Sequence, residues 1–437
     1  MSTLRVPVDR DLSIDFARAL CLPVVVLLHA LQMGIGGDPL RAFNALDGFE
    51  PLAWATWPLM IMPVFFICGG FAAITQWRRL RGHGETVAHY VRLRVIRLAR
   101  PVVSVTAAVG GVLAVMLAAG ADFEFVRTFA VRLAEPLWFI PVYIACTALV
   151  PVMSTVHRHA PWAGYLGLAG GVVAVDALSR VTGLPIGPLN WLFVWLFAQQ
   201  LGFGLRDGWF ARCSRATLWA MAAGSYGVIV VLVTVFGYSH DMLDNLNPPT
   251  LCILALALGQ VSLFALAQPA IRRAMHGRAL LGGVYVFGVF GMVIYLWHTF
   301  AMAVVVGAQA VLGLPFPAVL SPAWWATRPL WVAAIGVVVA LCCLVVPRLE
   351  ARWPDPVERR TPLVAVVAWM AVAIAGVGVI LTQGYVPWQV GVTGCLLVTG
   401  AVVALTIGGR GPRAMPEPVL AQSVIARDGD PDPRLVR

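Results

Sequence analysis

An all-α, polytopic membrane helical bundle is the fold this sequence predicts, with a ten-helix core and two additional C-terminal transmembrane helices. Composition is the first reason. Of 437 residues, 60% are hydrophobic and 12% charged, and the mean hydropathy is +0.83, which excludes the soluble globular class. Length of the apolar runs is the second, because twelve stretches approach or exceed the roughly 20 residues a bilayer crossing needs. The third is an alternation of charge sign between successive connections.

The stretches justify themselves in order. The first, 16–35, carries Arg18 and His29, and the second, 54–75, carries Phe65-Phe66-Ile67-Cys68-Gly69-Gly70-Phe71. A basic run, Tyr90-Val91-Arg92-Leu93-Arg94-Val95-Ile96-Arg97-Leu98-Ala99-Arg100-Pro101, leads into the third, 102–120. The fourth, 136–153, opens with Leu137-Trp138-Phe139; 162–178 follows, and the sixth, 188–205, opens with Asn190 and Trp191. After 217–236, the eighth stretch, 250–268, is entered through Asn245-Leu246-Asn247-Pro248-Pro249-Thr250, whose prolines suit a helix start. The ninth, 284–306, contains Tyr295-Leu296-Trp297-His298, and the tenth is 329–347. A charged, proline-punctuated segment, 347–361, then separates a last pair, 362–381 and 386–407, free of acids, bases and histidines. The expected organisation is a core over 1–347, an accessory helix pair over 348–407, and a tail over 408–437. That tail, without aromatics, reads as disordered and cytoplasmic.

All 31 basic residues are arginine, a bias that coding composition can produce and that gives no reason to expect nucleic acid as a partner. Placement says more than total. Residues 76–100 hold Arg78, Arg79, Arg81, Arg92, Arg94, Arg97 and Arg100 against Glu85, a net of +6, whereas the preceding loop holds Asp38, Asp47 and Glu50 against Arg41, a net of −2. By the positive-inside rule both termini are cytoplasmic. Arg127, Arg132, Arg180 and Arg328 dissent by falling in the other set of loops. Seven of eight cysteines lie in apolar segments without paired spacing, so they read as small buried hydrophobes, not as a disulfide frame or metal site. No metal is expected. The first helix reads as a retained anchor and not a removed signal, and no internal repeat of the kind many transporters carry is visible.

Arg18 and His29 are eleven residues apart, close to three helical turns, and so share one face about 16 Å apart along the axis. An ionisable group at that depth is costly and points to a reaction or transport path; the alternative is a flank charge and a packing histidine. His298 falls at a similar depth in another outward-running helix, either beside His29 or in an interfacial aromatic belt. Arg94 and Arg97, one turn apart, suit a diphosphate because the guanidinium fork donates bidentately and keeps its charge; the alternative is a topology-setting flank. Trp138, Asn190 and Asn247 lie at the outer ends of the apolar stretches, where an acceptor could stack or hydrogen-bond.

The ordered set of Arg18 and His29 (R-x10-H), the Phe65–Phe71 run, Arg94 and Arg97 (RxxR), Leu137-Trp138-Phe139 and Tyr295-Leu296-Trp297-His298 resembles the acyltransferase-3 family of membrane O-acyltransferases over about the first ten helices. Gly69 departs from it, standing where the family often has serine. The resemblance implies transfer of an acyl group, commonly acetyl, from cytoplasmic acyl-CoA to a hydroxyl of a carbohydrate or similar acceptor, in a bacterial cytoplasmic membrane. The implied roles are catalysis for His29, Arg18 and His298, donor binding for Arg94, Arg97 and Arg18, and acceptor binding for Trp138, Asn190 and Asn247. A hydroxyl needs a base as it attacks a thioester, and neutral imidazole supplies one; a covalent acyl-histidine remains an alternative. The rival from another class is a proton-coupled transporter using His29 and His298.

Overall fold

A computed structural model of the chain describes residues 11–356 and 361–408. It is a helical bundle in which eleven spans among the described residues are long and apolar enough to cross a membrane. Another apolar helix, with 17 residues, corresponds to the sixth expected stretch.

Helix α1 (Leu12–Gln32) starts four residues before the expected segment because Asp11 caps it, accepting from the Ser13 N–H at 3.0 Å. It stops at the glycine-rich 33–37, where the otherwise helical bundle carries one short strand pair among the described residues. Strands β1 (Met33–Gly36) and β2 (Arg41–Asn44) pair antiparallel across a turn at Gly37, whose φ is 92°. Helix α2 (Glu50–Leu59) and α3 (Met62–Gly82) divide the expected second stretch. Met60 leaves the helix between Pro58 and Pro63, and its freed carbonyl accepts from Gln260 Nε2 at 2.7 Å. Helix α4 (Val87–Ala118) runs unbroken for 32 residues, so the basic run belongs to the third helix itself instead of preceding it. At about 48 Å it exceeds the bilayer core, which leaves its arginine end in the headgroup region.

The largest correction is over 122–159. Residues expected in a loop form α5 (Phe123–Ala134), capped by Asp122. Its apolar face, with Phe125, Phe129 and Leu133, is fully inside the protein. A 3-10 turn (Glu135–Trp138) follows, then α6 (Phe139–Ala148) and α7 (Val150–His159). Next come α8 (Pro161–Thr182), α9 (Asn190–Arg206), α10 (Arg215–Thr234), α11 (Leu251–Ala274), α12 (Arg278–Val311), α13 (Pro322–Glu350), α14 (Leu363–Gln383) and α15 (Trp388–Ile407).

Packing joins segments far apart in the chain, α3 with α9 and both α1 and α4 with α12, as well as the consecutive α10 and α11. At the α3–α9 crossing, a Cβ on Gly202 would lie 2.0 Å from the Ile67 carbonyl oxygen, so the two backbones touch where only glycine fits. On the arginine-rich face, Arg78 donates to both carboxylate oxygens of Asp207 and buried His157 Nε2 stands 3.3 Å from the same group. The hairpin α14–α15 packs against α4: Arg92, buried in α4, donates from Nε to the Leu405 carbonyl (2.7 Å) and from Nη2 to that of Thr406 (3.2 Å). Beyond Gly408 the tail expected to be disordered lies outside the described residues.

Candidate active site

His29 and His298 meet. Nδ1 of His29 and Nε2 of His298 are 3.1 Å apart, with near-parallel rings whose planes differ by 12°. His298 is fully buried, and its other nitrogen, Nδ1, faces the Tyr295 carbonyl one turn earlier in α12. A carbonyl only accepts, so His298 carries its hydrogen on Nδ1 and presents a lone pair at Nε2. His29 must then donate from Nδ1, which leaves Nε2 of His29 as an unprotonated base with no bonded partner among the described residues. Arg132 of α5, paired with Glu135, acts electrostatically on His29. The Tyr295 hydroxyl donates to the Pro136 carbonyl at 2.5 Å, tying α12 to the 3-10 turn.

An aromatic wall adjoins the pair. Phe139 stacks on Tyr143 at 4.8 Å between ring centres and meets Phe65 and Tyr295 edge-on at 5.1 Å each. The Tyr143 hydroxyl fills the space in front of Gly69, where an added Cβ would fall 2.8 Å away. Phe66 stacks on Trp195 at 4.3 Å and holds α3 against α9.

Arg94 and Arg97 lie in α4, and Arg18 lies three turns before His29 in α1. Arg97 is exposed to solvent though protein surrounds it on most sides, and it lies within electrostatic reach of Arg94, Arg18 and the Tyr143 hydroxyl, with no carboxylate of the described residues among the groups acting on it. Arg94 is held by the Gln76 side chain and sits 5.5 Å from the centre of the Tyr90 ring. Arg97, with two further cations in electrostatic reach and no carboxylate of the described residues acting on it, forms a receptive site for a polyanion.

The expected acceptor residues are not assembled this way. Trp138 packs on Trp191 and Trp195, at 5.7 and 5.9 Å. Asn190 is fully buried and donates from Nδ2 to Asp176 at 2.7 Å. Asp176 also accepts from the Tyr238 hydroxyl and the Leu251 N–H, so Asn190 belongs to a structural knot between α8, α9 and α11. Asn247 is exposed in the turn before α11. Of the groups around the histidine pair, Tyr295 lies in the Tyr295-Leu296-Trp297-His298 run and Arg132 is visible in the sequence as a dissenting loop charge, at helical spacing from Glu135, but neither spacing assigns a site role; Tyr143 carries no sequence signal. Among the described residues no group of His, Cys, Asp or Glu could hold a metal ion.

Fold and site together define a multi-pass membrane protein built around a buried histidine pair and an arginine cluster. A family model described as an acyltransferase domain, Acyl_transf_3, matches residues 11–346, and the chain belongs to that family of membrane acyltransferases. Helices α14 and α15 lie beyond the matched region. No curated protein and no solved structure matches the chain.

Proposed function

We propose that the chain moves an acyl group, acetyl by preference, from cytoplasmic acyl-CoA to a hydroxyl of a carbohydrate or similar acceptor. The observation that carries this reading is the one-way hydrogen-bond chain His29 to His298 to the Tyr295 carbonyl, which leaves His29 Nε2 free. The coenzyme A diphosphate sits on Arg18, Arg94 and Arg97, and the pantetheine arm spans the distance from Arg18 to His29. His29 Nε2 takes the hydroxyl proton as the acceptor oxygen attacks the thioester carbonyl carbon. The tetrahedral intermediate collapses, the carbon–sulfur bond breaks, and the imidazolium returns its proton to the thiolate. Throughout, His298 accepts from His29 Nδ1 and holds the base in its reactive tautomer. Family membership favours transfer over proton-coupled transport as the use of the two histidines.

The test uses proteoliposomes given radiolabelled acetyl-CoA on the arginine-rich face and a mixture of saccharide acceptors on both. Wild-type protein should place label on saccharide, and His29→Ala should lower the rate by about 10²- to 10⁴-fold while acetyl-CoA still binds. Transfer near the wild-type rate in a folded His29→Ala protein would remove the base from the mechanism.

A further inference from the structure

Arg328 is a charge without an evident purpose. It lies in the second turn of α13, is only 8% exposed, and among the described residues has no hydrogen bond and no ion pair. No carboxylate of the described residues acts on it electrostatically. Two indoles flank the guanidinium, Trp324 at 4.5 Å and Trp331 at 4.6 Å from ring centre to Cζ. Their π-faces attract the cation but accept none of its in-plane N–H groups, and the Nε atom is buried with no acceptor. An ionised group taken out of water in this way is costly unless something pairs with it.

Its position gives the missing partner a function. Trp331, one turn along α13 on the same side, donates from Nε1 to the Ala30 carbonyl at 3.2 Å, and Ala30 follows His29. Trp324 packs under Ala45 and Leu46, beyond the β1–β2 ribbon. Arg328 therefore stands about one helical turn from the level of the histidine pair, on the side away from the arginine cluster. A phosphate-binding role toward the acyl donor is already proposed for Arg18, Arg94 and Arg97.

We propose that Arg328, held between Trp324 and Trp331, is an oxyanion subsite that binds a carboxylate or phosphate of the acyl acceptor. The anion pairs in the guanidinium plane, and the acceptor hydroxyl reaches His29 Nε2 from this side. Only the bearer of the anion rests on the acyl-transfer reading; the subsite itself does not.

The full-length protein in phosphatidylcholine nanodiscs is titrated with methyl glucuronide, glucose 1-phosphate and neutral methyl glucoside, with saturation-transfer NMR as the readout. Both acidic probes should bind about tenfold to a hundredfold more tightly than the neutral one, the range expected for a hydrogen bond to a charged group. Arg328→Gln should erase the preference and Arg328→Lys should keep most of it. His29→Ala should leave it intact while abolishing transfer; if transfer instead survives in His29→Ala, the acyl-transfer mechanism falls and the anion site stands. Replacing part of the phosphatidylcholine by phosphatidylglycerol distinguishes the source: displacement of both probes identifies a lipid phosphate as the bound oxyanion. In the absence of any anion, Arg328→Met should melt no lower than wild type, because it removes an uncompensated charge. A lower melting point there, or equal binding of charged and neutral probes, or unchanged preference in Arg328→Gln, overturns the proposal.

Discussion

His298 has one hydrogen to give and gives it to a main-chain carbonyl, so its contribution is direction: it accepts from His29 and never competes for the acceptor proton. His298→Ala removes that acceptor and frees His29 to adopt either tautomer. We expect kcat to fall about tenfold to a hundredfold with the acetyl-CoA KM little changed, and His298→Gln, whose side-chain carbonyl can accept the same hydrogen, to recover part of the loss. Recovery no better than alanine, measured by steady-state kinetics on both variants, would show that the ring itself is needed. A second residue-scale prediction concerns Gly69. A Cβ there would lie 2.8 Å from the Tyr143 hydroxyl oxygen, tighter than any ordinary contact. Gly69→Ser alone should therefore lower thermal stability and transfer together, and adding Tyr143→Phe should restore much of both; strictly additive losses would mean the two positions do not compete for space.

Helix ends on the arginine-rich face are stapled by charge. The Arg78 guanidinium beside Asp207 holds its carboxyl below the usual carboxylate range, partly opposed by burial, and this joins α3 to the turn after α9. A carboxyl with a depressed folded pKa stabilises the protein above its unfolded value, near 4, and loses that stabilisation as pH falls through the folded value. Arg78→Met should thus melt lower than wild type at neutral pH by an amount worth about 0–1 kcal/mol, given the solvent exposure of the pair, and the gap should close below about pH 4. A gap independent of pH, followed by differential scanning fluorimetry, would assign the loss to packing. The α14–α15 hairpin is a second element-scale question. Its sequence alone reads as an appendage, yet Arg92 caps the carbonyls of Leu405 and Thr406 from the helix that also carries Arg94 and Arg97. A chain ending near Arg360 should bind acetyl-CoA within about tenfold of the full protein but melt lower, because it loses two hydrogen bonds made by a charged group, each worth about 1.5–3 kcal/mol. Loss of acetyl-CoA binding in a stable truncation would make the hairpin part of the donor site.

At the scale of the molecule, what was legible in the sequence was depth, and what was not was rotation. Hydropathy placed the apolar stretches outside 122–159, and helical spacing put Arg18 and His29 on one face. That His29 and His298 touch depends on how α1 and α12 turn about their axes, which no spacing within either helix specifies. Helix α5 was misread because Glu124, Arg127, Arg132 and Glu135 dilute its hydropathy; the first pairs with the second and the third with the fourth, so the charges are neutralised while the apolar face is buried. Asn190 reads as an acceptor contact from its place at the outer end of a stretch, and its bond to Asp176 of α8 is a contact that no spacing within either helix specifies. Orientation in the membrane is the remaining whole-molecule property, and it decides which substrate arrives where. Exposed positions exist on both faces: His83 lies between α3 and α4 beside the arginine run, and Asp47 lies beyond the β1–β2 ribbon. If the arginine alternation sets topology, His83→Cys in a cysteine-free protein is shielded from an impermeant maleimide in intact cells, and Asp47→Cys reacts. Permeabilisation should then expose position 83. The reverse pattern would put the Arg18, Arg94 and Arg97 cluster on the side that holds no acyl-CoA, and the donor site would have to be sought at the other end of the bundle.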